Sequence, residues 1–557
     1  MRGALLLSAS TLLFAGCSDF LDIVPMDKVV LEDYWQEKAD VTSAVNGCYA
    51  ALASEAVITR MGVWGEMRSE NVMPGSNLSN NNIREILGEN LQPSNAMCDW
   101  SSFYNVINRC NVVMHYAPEV EKIDPNYTAA DLDATIAEVT TLRALCYFYL
   151  IRAFRDVPYT TAPSIDDNQN YFLPATPFND VVDSLINDLE RVQDKALRRY
   201  ELDKVENKSI VVPKTNNSRI TRSAIYALLA DLYLWKGDWD NVIKYCDKVL
   251  AYKLEVYKEL QQKYQFTDVA LYDSIPLILE APQGSNNVGN AYTEIFGQGQ
   301  SFESLFELYY NGTNEQNKWI STYYGSGDNN PGQLKAADFL ADGFTDDNSQ
   351  VFETQRDCRF YEGVRSEGTS YSIAKYRRTN ASFSLQKLGS VQVSGNFRSS
   401  QDANWIIYRL TDVMLMKAEA LIERSDDGFA EAFKLINDVY KRANGIAPDG
   451  TGQELAFEKY SGSKSQMEDL LFAERHREFL FEGKRWFDLV RATRREGKTT
   501  RLSSCVIRKH QQDVNVIKLK LADPNYVYFP YTKSELKANP LLVQNPAFNK
   551  GENSELK

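Results

Sequence analysis

Residues 221–251 read TRSAIYALLADLYLWKGDWDNVIKYCDKVLA, and this stretch decides the fold class. Ala224, Leu228 and Leu232 recur at four-residue steps and predict a helix with one buried face. Gly237-Asp238 predicts a turn, and Trp239 to Leu250 predicts a second helix. Two helices joined by a short turn over about 34 residues are typical of a tetratricopeptide repeat.

A second copy of this pattern runs from Asp412 to Ala443, with its turn at Asp426-Asp427-Gly428. A single helix pair cannot bury its apolar faces, so such pairs stack on one another. A generic helical bundle is the alternative. We therefore expect a mostly α fold built on a tetratricopeptide-like helical repeat scaffold.

Further helices are predicted at 40–53, 100–116 and 134–154, the last ending where Pro158 bars continuation. From 252 to 404 the composition changes to Gly, Asn, Ser and aromatic residues, which predicts a large irregular insertion with short helices and strands. Long loops on a rigid scaffold tend to carry function. We expect one domain, 17–557, with a helical part at 18–251, a ligand-facing variable part at 252–404 and a C-terminal part at 405–557.

The N-terminus has the order of a bacterial lipoprotein signal. Met1-Arg2 supplies a positive charge, Ala4 to Phe14 is almost entirely apolar, and Ala15-Gly16 precedes Cys17. The apolar run is about half of the ~20 residues that cross a bilayer. We expect residues 1–16 to be removed and Cys17 to carry a lipid, since more than one acyl chain holds a protein on a membrane. An ordinary secretory signal is the alternative.

Composition limits the function classes. The 557 residues are 44% hydrophobic and 24% charged, which is typical of a chain with a large core. The net charge of −14 argues against a nucleic-acid partner, because binding phosphates requires a basic patch.

Cysteine and metal-ligand patterns are uninformative for catalysis. Seven cysteines remain besides Cys17, and they show no C-x-x-C spacing. We predict that they are small, buried hydrophobic residues. A Cys98–Cys110 disulfide is the alternative. The three histidines lack zinc-site spacing, and the aspartates at 342, 346 and 347 lack the order of a calcium loop, so no metal site is predicted.

Motifs spread along the chain resemble one known family. They are Ser18-Asp19-Phe20-Leu21-Asp22, Arg143-Ala144-x-x-Tyr147-Phe148-x-Leu150, Tyr408-Arg409-Leu410-x-Asp412-Val413, the block from Glu474 to Leu489, and Gln544-Asn545-Pro546-x-Phe548. Together and in order they are similar to SusD/RagB proteins. Arg155 departs from the glycine that the family commonly has before Asp-Val-Pro, and the middle third matches no family motif.

The resemblance implies a lipoprotein of the outer membrane, facing the cell exterior. It implies that the protein captures an oligosaccharide, or sometimes a peptide, and sits as a lid over a SusC-type TonB-dependent transporter. It implies binding without catalysis and without a cofactor. A helical-repeat adaptor that binds only protein and a surface-anchored glycan hydrolase are the alternatives.

The block at 474–489 holds carboxylates three and four residues apart, and glycosidases work with a carboxylate pair. Each has a basic neighbour at helical spacing, and close arginines lower carboxylate pKa values. We therefore predict no catalytic residue here but a structural ion-pair network, in which Glu474 pairs with Arg477, Glu482 with Arg485, and Arg485 with Asp488.

A sugar ring offers apolar C–H faces to aromatic side chains and hydroxyls to polar ones. Trp319, Tyr323 and Tyr324 lie in a polar, Gly-rich stretch. Most other tryptophans fall on predicted amphipathic helices and are predicted to be core: Trp100, Trp235, Trp239, Trp405 and Trp486. Family analogy adds the loop after Trp64. The candidate ligand-binding residues are Trp64, Arg68, Glu70, Asn77, Asn80, Trp319, Tyr323 and Tyr324.

Overall fold

The computed structural model describes residues 34–165, 169, 171–200, 217–264, 267–281, 287–340, 351–354, 356–368, 370–384, 393–445 and 454–549. The predicted signal at 1–16, the lipidation site Cys17 and the aspartates at 342, 346 and 347 lie outside these ranges.

Helices dominate the described residues. They are α1 Lys38–Leu52, α2 Glu55–Gly62, α3 Asn81–Leu87, α4 Ser101–Ile123, α5 Ala129–Phe154, α6 Phe178–Val192, α7 Arg222–Lys236, α8 Trp239–Tyr264, α9 Asn290–Tyr292, α10 Cys358–Gly363, α11 Leu410–Arg424, α12 Phe429–Ala443, α13 Phe457–Tyr460, α14 Lys464–Glu478, α15 Arg485–Glu496, α16 Thr500–Val506, α17 Val514–Leu521 and α18 Lys533–Ala538. Three turns are π-helical: Val63–Met67, Thr293–Gln298 and Ile320–Tyr324.

The two predicted repeats are the helix pairs α7/α8 and α11/α12, and α8 packs against α11. Gly237 ends α7 in the left-handed conformation, with φ of +80°, and its N–H returns to the Tyr233 carbonyl at 2.9 Å. That geometry favours glycine. On the other side α7 contacts α6, which packs on α5, and α5 packs on α4. The predicted mostly α, tetratricopeptide-like scaffold is confirmed.

Helix α5 is the central helix of the N-terminal part. It begins with a capping box, because the Asp131 N–H donates to Thr128 Oγ1 and the Thr128 N–H donates to Asp131 Oδ2. It is the one helix among the described residues long and apolar enough to cross a membrane, but 83% of its most apolar window is buried inside the protein. It is therefore a core helix.

The strands are short and antiparallel. They are β1 Val72–Pro74, β2 Val157–Pro158, β3 Ala175–Thr176, β4 Val269–Tyr272, β5 Ile275–Ile278, β6 Asn287–Val288, β7 Ser304–Leu308, β8 Gly325–Ser326, β9 Asn330–Pro331, β10 Leu334–Ala336, β11 Val364–Glu367, β12 Ser370–Ile373, β13 Phe383–Ser384 and β14 Trp405–Arg409. One sheet has four strands in the order β1-β10-β12-β11, and the others have two.

The middle segment has the predicted character of short strands and turns, although α8 continues to Tyr264, past the expected boundary at 251. The four-stranded sheet joins it to the N-terminal part, with Val72 opposite Ala336, and β7 pairs with β14 of the C-terminal part. The larger of two hydrophobic clusters among the described residues contains residues of all three parts, from Trp35 to Leu542, and the smaller one consists of Val288, Cys358 and Phe383.

All seven cysteines that the structure describes are free. Six are buried, as predicted, and Cys505 is half-buried. The alternative of a Cys98–Cys110 disulfide is wrong, since each of these thiols lies separately in the core.

Candidate functional site

The signature block forms the end of α14, a turn and the start of α15. Arg477 donates to Glu474 at 2.8 Å, at the helical spacing that predicts this pair. The predicted Glu482–Arg485 pair is wrong, because α14 ends at Glu478 and Glu482 lies in the turn before α15, where Gly483 has positive φ. Glu482 instead accepts from Arg409 and Lys375 at 2.8 and 2.6 Å.

The predicted Arg485–Asp488 pair is also wrong. Arg485 donates to Glu70 at 2.7 Å, and Asp488 accepts from Arg475 and Arg491 at 2.9 Å each. The block therefore forms ion pairs with distant segments more than within itself.

Glu478 lies at the centre of this network. Its carboxylate accepts from the guanidinium groups of Arg409, Arg442 and Arg359 at 2.5, 2.6 and 3.0 Å. Burial by itself raises a carboxyl pKa, but the three arginines hold the pKa of Glu478 well below its usual range. The network ties α14 to the middle segment and to α12, and its carboxylates are closed to solvent.

Trp64, Arg68 and Glu70 are fully buried. Trp64 Nε1 donates to the Met97 carbonyl at 2.9 Å, and Arg68 forms an ion pair with Glu89 at 2.7 Å. Glu70 belongs to the pair with Arg485 described above. The prediction that these three side chains contact a ligand is wrong, because each is enclosed and committed to an internal partner. Arg68, whose guanidinium lies 4.2 Å from the centre of the Trp486 ring, and Glu70 join the N-terminal segment to the signature block.

Trp319 and Tyr324 are fully buried as well. The Trp319 ring lies on Gly62, where an added Cβ would come within 2.3 Å of the indole. The Tyr324 hydroxyl donates to the Phe481 carbonyl at 3.0 Å. Ligand contact is therefore also wrong for these two residues, which fill the core between the π-helical turn at 320–324 and the signature block. Tyr323 is 6% exposed at the edge of this cluster.

The structure brings the remaining predicted residues together. Asn77 Nδ2 donates to the Pro331 carbonyl at 3.3 Å, because β1 pairs with β10. Asn80 caps α3 by accepting from the Asn82 N–H at 3.0 Å, and its side chain also hydrogen-bonds Tyr323. Asn77 is exposed and Asn80 half-buried. Two stretches of sequence some 250 residues apart thus share one polar surface.

Three further side chains complete this surface. Arg365 Nη1 donates to Asp328 Oδ1 at 2.6 Å, and the Arg365 guanidinium lies 4.8 Å from the centre of the Phe397 ring. Asn330 Nδ2 donates to Ser326 Oγ at 3.0 Å and is exposed. We define the asparagine face as Asn77, Asn80, Asp328, Asn330 and Arg365.

Sequence reasoning missed Arg365, Asp328 and Asn330. The polar, Gly-rich turn was a usable signal for Asp328 and Asn330. Arg365 gave no signal, because only the order β10-β12-β11 brings its strand beside this turn.

Two family models match the chain. One, described as SusD family, matches residues 283–548, and one, described as starch-binding associating with outer membrane, matches residues 19–234. The second description links this part of the chain with the outer membrane.

Individual relatives agree with these models. A SusD-like protein of Formosa agariphila is 22% identical over 493 residues, covering 86% of this chain and 88% of its own. A SusD-like protein of Bacteroides ovatus is 30% identical over 260 residues, covering 43% of this chain and 41% of its own.

Solved structures share the fold. A SusD homolog from Bacteroides thetaiotaomicron superposes with a TM-score of 0.66 at 17% identity, covering 93% of this chain and 98% of its own. A laminarin-binding SusD-like protein superposes with a TM-score of 0.62 at 19% identity, covering 92% of this chain and all of its own.

Proposed function

Because the chain belongs to the SusD/RagB family, we propose that it is a surface-exposed lipoprotein of the outer membrane that binds an oligosaccharide and delivers it to a SusC-type TonB-dependent transporter. The family descriptions support the outer-membrane location, and the laminarin-binding neighbour supports a glycan as the ligand class. The signal pattern ending at Cys17 supports the lipid anchor.

The asparagine face is the observation that carries this proposal. Side-chain amides both donate and accept hydrogen bonds, which suits hydroxyl groups that do the same. Asn77 and Asn330 are exposed, and the Asn77 side chain reaches the strand of Asn330, since it donates to the Pro331 carbonyl. Arg365 is held in place by Asp328 and by the Phe397 ring, so it offers donors from a fixed position.

Binding without hydrolysis agrees with the charge arrangement. A glycosidase needs two carboxyl groups that flank the scissile bond at an accessible site. Glu474, Glu478 and Glu482 are each at most 2% exposed and are paired with cations. A substrate cannot reach them without opening the network.

A panel experiment tests the ligand class. We expect the mature chain to bind at least one of a set of plant, host and microbial oligosaccharides saturably, and to leave it uncleaved after prolonged incubation. Mixed peptides of similar size are the comparison. Cleavage would favour the hydrolase alternative, and binding of peptides alone would reject the oligosaccharide.

A fractionation experiment tests the anchor and the partner. Cys17→Ala should move the protein from the membrane fraction to the soluble fraction, because the lipid provides the attachment. The wild-type protein should co-purify with a barrel transporter. Retention of Cys17→Ala on membranes that lack the transporter would contradict the lipid anchor.

A further inference from the structure

A concave surface lies between the start of α4, the described residues of the β2–β3 connection and α18. It is a groove of about 490 Å³ that shares no residue with the asparagine face. Trp100 and Tyr104 line it from α4, and Glu535 and Asn539 line it from the C-terminal side. This volume lies within the range of about 300–1,000 Å³ that is typical of ligand pockets.

The walls of the groove are tied to one another. Asn539 Nδ2 donates to the Leu173 carbonyl at 2.7 Å, which joins the segment after α18 to the β2–β3 connection. The Tyr104 hydroxyl donates to the Pro158 carbonyl at 2.6 Å and joins α4 to the same connection. The groove is therefore built into the fold by contacts between segments that are distant in sequence.

Apolar side chains are concentrated around this groove. Tyr171 and Phe172 are each 52% exposed on its wall. Three more exposed hydrophobic residues, Ile165, Leu541 and Val543, are each next in sequence to a residue that lines the groove. A cluster of exposed apolar side chains at a concave site is typical of a binding surface.

The charge of the lining restricts the ligand. Lysine and arginine do not occur among the described residues that line the groove, and its one ionisable carboxyl group is Glu535. The Glu535 side chain hydrogen-bonds that of Trp100, and burial raises the pKa of Glu535. An anionic ligand would find no cation here, whereas a ligand with apolar faces and hydroxyl groups would find aromatic rings and polar side chains.

We propose that this groove binds a neutral oligosaccharide segment of about two or three sugar rings, as a second saccharide site separate from the asparagine face. Tyr171 and Phe172 cover the apolar faces of the rings, and Glu535 accepts hydrogen bonds from their hydroxyl groups. The proposal goes beyond the proposed function, which places the ligand at the asparagine face.

Hydrogen exchange with the mature chain tests the second site. The probes are a laminarin-derived hexaose and maltohexaose, both neutral, with an oligogalacturonate of matched length as the anionic comparison. We expect at least one neutral probe to slow exchange at 158–173 and 533–543, and the anionic probe to leave these segments unchanged.

Variants assign the effect to the groove. Phe172→Ala and Glu535→Gln should each weaken the neutral probe at the groove by about tenfold or more while protection at 75–82 and 325–333 stays as in the wild type. Leu519→Ala is the control, because Leu519 is 78% exposed on α17 and outside the groove lining.

Three outcomes would overturn the second site. They are protection confined to the asparagine face, stronger protection of the groove by the anionic probe, and no protection by either neutral probe. Protection of the groove without the asparagine face would instead leave the second site standing and reject the face as the site in the proposed function.

Discussion

Glu478 is a buried carboxylate that pairs with three arginines from different segments of the chain. Replacing it by glutamine removes the negative charge shared by Arg359, Arg409 and Arg442 and leaves these buried cations with fewer counter-charges. Breaking a buried ion pair costs about 3–5 kcal/mol. We expect Glu478→Gln to lose stability of this order in urea titrations. Glu119→Gln, whose partner Lys122 is exposed, should change stability by about 0–1 kcal/mol. Equal effects of the two substitutions would contradict a structural role for the network.

Glu307 on β7 should make the stability of the protein depend on pH. Burial raises the pKa of Glu307 to about 8, against about 4.3 in an unfolded chain. Between these values the folded state holds a proton that the unfolded state has released, so this group makes the protein less stable as pH rises from about 4.3 to about 8.

Glu307→Gln removes that dependence. We subtract the free energy of unfolding of the wild type from that of the variant at each pH. This difference should be larger at pH 8 than at pH 5 by on the order of 3 kcal/mol. Urea unfolding of both proteins at the two pH values measures the difference. The same relative stability at both values would show that Glu307 ionises normally in the fold.

At the scale of elements, α5 is followed by Arg155, the residue that stands in place of the glycine of the family motif. Arg155 has φ of +71° and ψ of −75°, a tight-turn conformation that is strained for a residue with a Cβ. Both Arg155→Gly and Arg155→Ala lose the contacts of the guanidinium with Asp156 and Asn525. Only glycine relieves the backbone, so we expect Arg155→Gly to be more stable than Arg155→Ala by about 1 kcal/mol. Calorimetric melting of the pair measures this, and an alanine variant at least as stable would remove the argument for strain.

Elements also show what the sequence could predict. The pairs α7/α8 and α11/α12 follow from local periodicity and short turns, so they could be found without the structure. The order β1-β10-β12-β11 depends on the pairing of β1 with β10, which lie about 260 residues apart in the chain, and on the pairing of β10 with β12, and these strands have three or four residues and no motif. The polar stretch near Trp319 predicted a ligand surface, but its aromatic rings pack into the core together with Asn317, whereas Asn329 and Asn330 stay exposed.

The whole molecule is held together by contacts among its three parts. Arg68 and Glu70 of the N-terminal part contact Trp486 and Arg485, and Arg359 of the middle segment contacts Glu474. We predict that the chain unfolds in one cooperative transition, since losing any part would expose buried charges in the others. Circular dichroism and tryptophan fluorescence should give coincident urea curves, and two separated transitions would show that the parts are independent units.

Saccharide capture at the asparagine face is the central claim, and one calorimetric titration tests it most directly. The mature chain is titrated with the best-binding oligosaccharide of the panel, beside Asn77→Ala/Asn330→Ala and the control Asn187→Ala, an exposed asparagine on α6. Losing several hydrogen bonds, each worth about 0.5–1.5 kcal/mol, should weaken binding at the face about tenfold or more in the double variant and leave the control unchanged. Wild-type affinity and stoichiometry in the double variant would contradict the claim.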